Sequence, residues 1–118
     1  MDEYLRFRDG FAQAMNPDLY TIQYLDHLYL SGRAKMFSSA NAAGLVEIRS
    51  YPTGKFDVHG LVCTGDLNEI LNILIPQAEA WGREEGCAGL IIESREGWVR
   101  ALKGYGYSPH QIAVRKEL

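Results

Sequence analysis

The chain has 118 residues, 47% of them apolar and 23% charged, with a formal net charge of −3. That length fits one domain with its own core, residues 1–16 forming an N-terminal helix and 17–118 the rest, and the composition is that of a folded globular protein, not a disordered segment. The weak negative charge, with no run of Lys or Arg, argues against nucleic acid or an anionic membrane as a partner, and no apolar stretch is long enough to cross a bilayer.

Tyr4, Phe7, Phe11, Ala14 and Met15 recur at helical spacing and predict an amphipathic helix over 2–15, weakened by Gly10. Asn16-Pro17-Asp18 reads as a break and restart, with Asn16 as N-cap and Pro17 in the first helical position. Leu19, Ile22, Leu25 and Leu28 supply the second apolar stripe, and Gly32 a stop. The period then changes. Residues 34–38 read as a short strand, 39–44 as a small polar turn, and Gly44–Tyr51 and Lys55–Cys63 as β-branched and aromatic strands. Tyr51-Pro52-Thr53-Gly54-Lys55 joins the last two as a hairpin loop.

Asp66 followed by Glu69 resembles a capping box. It opens a helix whose apolar face is Leu67, Ile70, Leu71, Leu74, Ala78 and Trp81, with Pro76 expected to kink or split it and Gly86 to end it. Ala88–Glu93 is an apolar run of the kind found in strands buried on both faces. Trp98, Val99 and Leu102 predict a helix over 96–104, and Gln111–Lys116 a final strand. The order α-α-β-β-β-α-β-α-β implies an α/β protein with a mixed, mainly antiparallel sheet flanked by helices.

Several functional classes drop out. His27, His59 and His110 have no metal-ligand spacing with Cys63 or Cys87. No phosphate-binding P-loop, dinucleotide fingerprint or Gly-x-Ser-x-Gly elbow occurs. The two cysteines read as small buried apolar residues. Tyr20, Tyr24 and Leu28 suggest either core packing or an exposed patch for self-association.

The segment Cys87–Leu118, strand, helix, strand, with Gly106-Tyr107 after the helix, resembles the C-terminal half of the GCN5-related N-acetyltransferase (GNAT) family. The likeness spans about 17–118 and is sharpest over 61–107. It implies an N-acetyltransferase in which acetyl-CoA inserts between the strands 55–63 and 88–93, with a backbone N–H near Val62 polarising the thioester carbonyl. It also implies that Val62, Cys63, Thr64, Gly65, Asp66, Leu67 and Asn68 hold the cofactor, the pyrophosphate resting on amides at the start of the helix. The family's loop reads Gln/Arg-x-x-Gly-x-Gly/Ala; here one glycine, no arginine and the Asp66 carboxylate stand in its place. Leu102 and Arg95 occupy positions where the family often carries Tyr and Asn, and Tyr105, one turn on, is the candidate general acid. Candidate bases are Glu47, His59 and Glu93, the last closing an apolar strand, with an ion pair to Arg95 or Arg100 as its structural alternative.

The resemblance implies an acceptor site between the N-terminal helices and the 39–44 loop. It extends to short acetyltransferase-like phage proteins, which implies a second reading: a non-catalytic scaffold contacting a phage or host protein, in a virion or in bacterial or infected-host cytoplasm. A homo-oligomer fits either reading.

Overall fold

The computed structural model describes residues 1–93 and 97–118. Two helices, α1 (Asp2–Ala14) and α2 (Ile22–Leu30), precede strands β1 (Lys35–Ser38), β2 (Ala42–Ser50) and β3 (Phe56–Gly65). A long helical segment follows: α3 (Leu67–Glu69), a π-helical turn over Ile70–Leu74, and α4 (Ile75–Glu84). Then come β4 (Gly89–Ile92), α5 (Gly97–Leu102) and a 3₁₀ turn over Lys103–Tyr105. The strands lie in the order β1-β2-β3-β4, antiparallel except for the parallel β3–β4 pair.

Strand alternation sorts the core onto two faces. Ala43, Leu45, Leu61 and Val62 pack with Tyr4 and Phe11 of α1 and Leu25 and Leu28 of α2. Ala42, Val46, Val58 and Cys63 turn the other way, toward Ile70, Leu71, Leu74, Ala78 and Leu102. Val58 and Cys63 share a face although five residues apart, which an unbroken two-residue period forbids. A β-bulge supplies the missing step: Leu45 pairs Val62 and Val46 pairs Gly60, so Leu61 is the extra residue.

Two glycines are small for packing reasons. A Cβ on Gly10 would fall 2.6 Å from Thr64 Oγ1, so α1 presses directly on β3. A Cβ on Gly82 would fall 2.6 Å from Val58 Cγ2, so α4 lies equally close on the opposite face.

The structure departs from the sequence reading in several places. The second helix starts at Ile22 with Thr21 as its cap, its side chain accepting from Tyr24 N–H. Asn16 instead closes a turn, its Oδ1 accepting from Asp18 N–H at 3.0 Å. Leu28 is fully buried, so it belongs to no surface patch, whereas Tyr20 and Tyr24 are exposed and stacked on each other. Pro76 does not split its helix. The π turn just before it re-routes the ladder, Ile75 N–H reaching Ile70 O, and absorbs the proline's missing donor. Strand β4 is not buried on both faces: it is an edge strand with Gly89 exposed and Leu90–Ile92 half-buried, because residues 111–116 form no strand beside it. Among the described residues no helix is long and apolar enough to cross a membrane.

Candidate active site

Strands β3 and β4 run together only from Asp57 opposite Gly89 to Gly60 opposite Ile92. Strand β3 then continues five residues further, to Gly65, with β2 alone as its neighbour among the described residues. The divergence begins at the bulge. A bulge bends and twists its strand, so Leu61 is where β3 leaves β4. The opening is a cavity of about 300 Å³, lined by Gly60–Cys63 of β3, Leu74 and Ile75 above them, Ile92 and Glu93 at the end of β4, and Trp98 of α5. Its walls are predominantly apolar, as in sites that take a flexible small-molecule arm.

A polar cluster sits at the rim. The hairpin register sets Glu47 opposite His59 and Arg49 opposite Asp57. Glu93, which lines the cavity, joins them: the Arg49 guanidinium donates to Glu93 Oε1 at 2.6 Å and to His59 Nε2 at 3.0 Å. A guanidinium only donates, so Nε2 is the acceptor. The ring hydrogen is thereby assigned to Nδ1, which donates to Glu47 Oε2 at 2.9 Å. His59 Nε2 also lies 3.9 Å from Glu93 Oε1. The Arg49 hydrogen bond holds the Glu93 carboxyl below the usual carboxylate range, against the opposing effect of partial burial. Next to this group Tyr51 donates to Asp57 Oδ2 at 2.9 Å.

At the far end of the cavity, the link from β3 into α3 is tightly fixed. Gly65 has φ +106°, and any side chain there would run into the Asn41–Ala42 backbone. Asp66 N–H donates to Asn41 O at 2.9 Å, and the Asp66 carboxylate caps Glu69 N–H at 3.0 Å. Only half of the expected capping box forms. Instead of folding back, Glu69 reaches the β1–β2 turn, accepting from Ser39 Oγ, Asn41 N–H and Asn41 Nδ2. The hydrogen bond from Ser39, followed by those from Asn41, keeps its carboxyl low. Among the described residues the amides of Leu67 and Asn68 have no protein acceptor.

The fold thus brings His59 and Glu93 together, with Glu47, around Arg49. Tyr105 lies apart from them: its hydroxyl donates to Asn72 Oδ1 in the π turn at 3.0 Å. Val62 and Cys63 line the cavity, where burial pushes the Cys63 thiol up. Thr64 packs on Gly10, and Gly65–Asn68 make the turn into the helix. Glu93 pairs with Arg49, neither of its expected partners; Arg95 lies outside the described residues. Arg49 is the residue that sequence reasoning missed. A signal existed: a loop of 51–55 places Ser50 opposite Phe56, and counting outward puts Glu47 beside His59 and Arg49 two pairs nearer the turn, on the same face.

No family model and no curated protein sequence matches the chain. Solved structures do. An aminoglycoside N-acetyltransferase in complex with CoA superposes with a TM-score of 0.70 at 16% identity, over 99% of this chain and 91% of that one. Glucosamine-6-phosphate N-acetyltransferase from Arabidopsis thaliana gives 0.67 at 14%, over 98% and 91%. A predicted acetyltransferase with acetyl-CoA from Clostridium acetobutylicum gives 0.66 at 10%, over 98% and 84%. At these identities the likeness establishes the fold, a GNAT-like mixed sheet flanked by helices.

Proposed function

We propose that this chain is an acetyl-CoA-dependent N-acetyltransferase, with its cofactor in the cleft where β3 leaves β4. The observation that carries the reading is that divergence, an apolar opening of about 300 Å³ beginning at a bulge and ending on a polar rim. The residues present fit the cofactor unevenly. Leu74, Ile75, Ile92 and Trp98 form a wall suited to a pantetheine arm. The amides of Leu67 and Asn68, at the start of an 18-residue helical run (Leu67–Glu84), suit a pyrophosphate. The Asp66 carboxylate at the same helix start opposes an anion, which favours modest affinity.

When bound, acetyl-CoA supplies an acyl group activated as a thioester. The chain's own groups would do the rest. The amide of Val62, beside the bulge, polarises the acyl carbonyl. Glu93, held ionised by Arg49, would attract an ammonium acceptor to the rim and take up its proton, leaving the neutral amine to attack the acyl carbon. His59 would accept a proton only through Nε2, because Nδ1–H is committed to Glu47, and only once Arg49 releases Nε2. Arg49 therefore gates His59 and tempers Glu93. Tyr105 keeps its role as candidate acid only if its hydroxyl leaves Asn72.

Thermal melting with acetyl-CoA tests the reading. Binding to the native state alone, at a hundred times Kd, adds about 2.7 kcal/mol of stability and raises Tm by several degrees. Absence of any shift at millimolar acetyl-CoA would remove the proposal. Release of free thiol from acetyl-CoA with a panel of primary amines then separates a transferase from a protein that only binds.

A further inference from the structure

At the rim of the cleft Arg49 holds one full partner and one poor one. Its Nη1 donates to Glu93 Oε1 at 2.6 Å, its only ion pair among the described residues. Its Nη2 donates to His59 Nε2 at 3.0 Å, a ring nitrogen without charge. Asp57, opposite Arg49 in the hairpin, accepts from the Tyr51 hydroxyl instead. A carboxylate accepts from a guanidinium more strongly than a neutral nitrogen does, because charge meets charge. The guanidinium fork also fits a carboxylate with parallel N–H groups. Arg49 is thus poised to trade His59 for a better acceptor.

Exposure decides which of these groups a ligand reaches. The Glu93 and Arg49 side chains are 57% and 34% exposed, that of His59 only 12%. A ligand therefore meets Glu93 and Arg49 first, and His59 Nε2 only after Arg49 has turned away. A simple amine brings an ammonium and nothing else. It competes with Arg49 for Glu93 and leaves the guanidinium on the ring. An amine that also carries a carboxylate exchanges every pair: its ammonium takes Glu93, its carboxylate takes Arg49, and His59 Nε2 is freed. No charge is left without a partner. Arg49 Nη1 and Glu93 Oε1 are in direct contact at 2.6 Å, so the two charges of the acceptor must themselves be close neighbours.

We propose that the acceptor is a small amino acid, its carboxylate on the same carbon as the amine or on the adjacent one, and that Arg49 is the residue that selects it. The chemistry of this selection rests on the acetyl-transfer reading, whereas the binding rests on the Arg49–Glu93–His59 cluster alone. An ammonium loses two protons in becoming an amide. Glu93 takes the first, before attack. As the C–N bond forms and the C–S bond breaks, the electron pair leaving on the thiolate, the freed His59 Nε2 takes the second. The carboxylate of the right acceptor thus uncovers the base that its own acetylation needs. An amine without one meets a site whose second base stays covered.

Nitrogen NMR of the histidine rings in the full chain, recorded without acetyl-CoA, tests the binding. The probes are the common α-amino acids and β-alanine, each beside its carboxamide, with the His59 signals assigned by their loss in His59→Gln. The expected result is a saturable shift of His59 Nε2 with at least one acid, and binding of its carboxamide weaker by roughly 10-fold or more, since a hydrogen bond between charged groups is lost. Thiol release from acetyl-CoA should show the same preference in kcat/KM, roughly 10- to 100-fold for acid over amide, and Arg49→Gln should erase it. No His59 shift with any acid at millimolar concentration, equal use of acid and amide, or a preference that survives Arg49→Gln would overturn the selection. The transferase reading would survive each of these if acetyl-CoA still raised Tm. His59 shifts with no effect of acetyl-CoA on Tm would uphold the Arg49 site and remove the transferase.

Discussion

The two halves of β3 are built from similar residues and do opposite work. Phe56–Gly60 is paired on both sides, by β2 and β4, and Val58 at its centre is 1% exposed beneath Gly82. Leu61–Gly65 keeps β2 but has no β4 partner among the described residues, and opens onto the cavity. One extra residue separates the halves. The first half shows what a strand contributes when every backbone group and both faces are used. The second shows that a local disruption of the ladder, flanked by intact packing, makes space and free backbone groups without costing the fold.

The largest effect should come from the closed half. Val58→Asp places a carboxylate where no partner exists and should remove at least about 3 kcal/mol of stability in urea unfolding. A variant nearly as stable as the parent would break the contrast. At the rim, Glu93→Gln should lower acetyl transfer roughly 100-fold while changing stability by under about 1 kcal/mol, since the Arg49 pair is partly solvent-exposed. Equal losses of rate and stability would instead make Glu93 a structural residue. In the open half, Cys63→Trp should abolish the acetyl-CoA-dependent rise in Tm and cost about 1–3 kcal/mol by overfilling the cavity. Retained binding would move the cofactor out of the cleft.

The smallest effect belongs to neither half. Asp26 accepts from Arg8 at 2.7 Å and from Tyr4 at 2.5 Å, and the Arg8 hydrogen bonds hold its carboxyl below the ordinary 3.8. A depressed carboxylate contributes stability above its unfolded value, and the contribution is lost as pH falls below about 3.8 toward the lower folded value. Asp26→Asn should flatten that acid loss by under about 1 kcal/mol and leave acetyl-CoA binding unchanged. An identical acid profile in urea melts would exclude Asp26 as a source of it.

Much of this organisation was legible in the sequence, for reasons that differ by element. Helical periods ending at Gly32 and Gly86 gave the helices, both glycines having the positive φ of a helix stop. The 51–55 loop gave the hairpin and, by counting, its register. The bulge was not read from the sequence: Leu61-Val62-Cys63 is uninterrupted apolar sequence, and the one signal beside it is Gly60, since a lone glycine in a strand often marks a bulge. Asn16-Pro17 misled because its residue types suit a helix start and a turn equally well. Gln111–Lys116 holds β-branched Ile112 and Val114 two residues apart, yet it forms no strand and both side chains are exposed. Of the site, Glu93 was singled out by its position after an apolar run, whereas Arg49's place in the hairpin could be counted but its tie to Glu93 emerges only when β2, β3 and β4 are side by side.

The central claim is that the open half of β3, and not the closed half, receives the cofactor. Backbone amide spectra recorded during an acetyl-CoA titration test it residue by residue. The account expects saturable shifts at Leu61, Val62, Cys63, Leu67 and Asn68, with Phe56–Val58 unmoved. No shifts at millimolar acetyl-CoA, or shifts confined to Phe56–Val58, would contradict it.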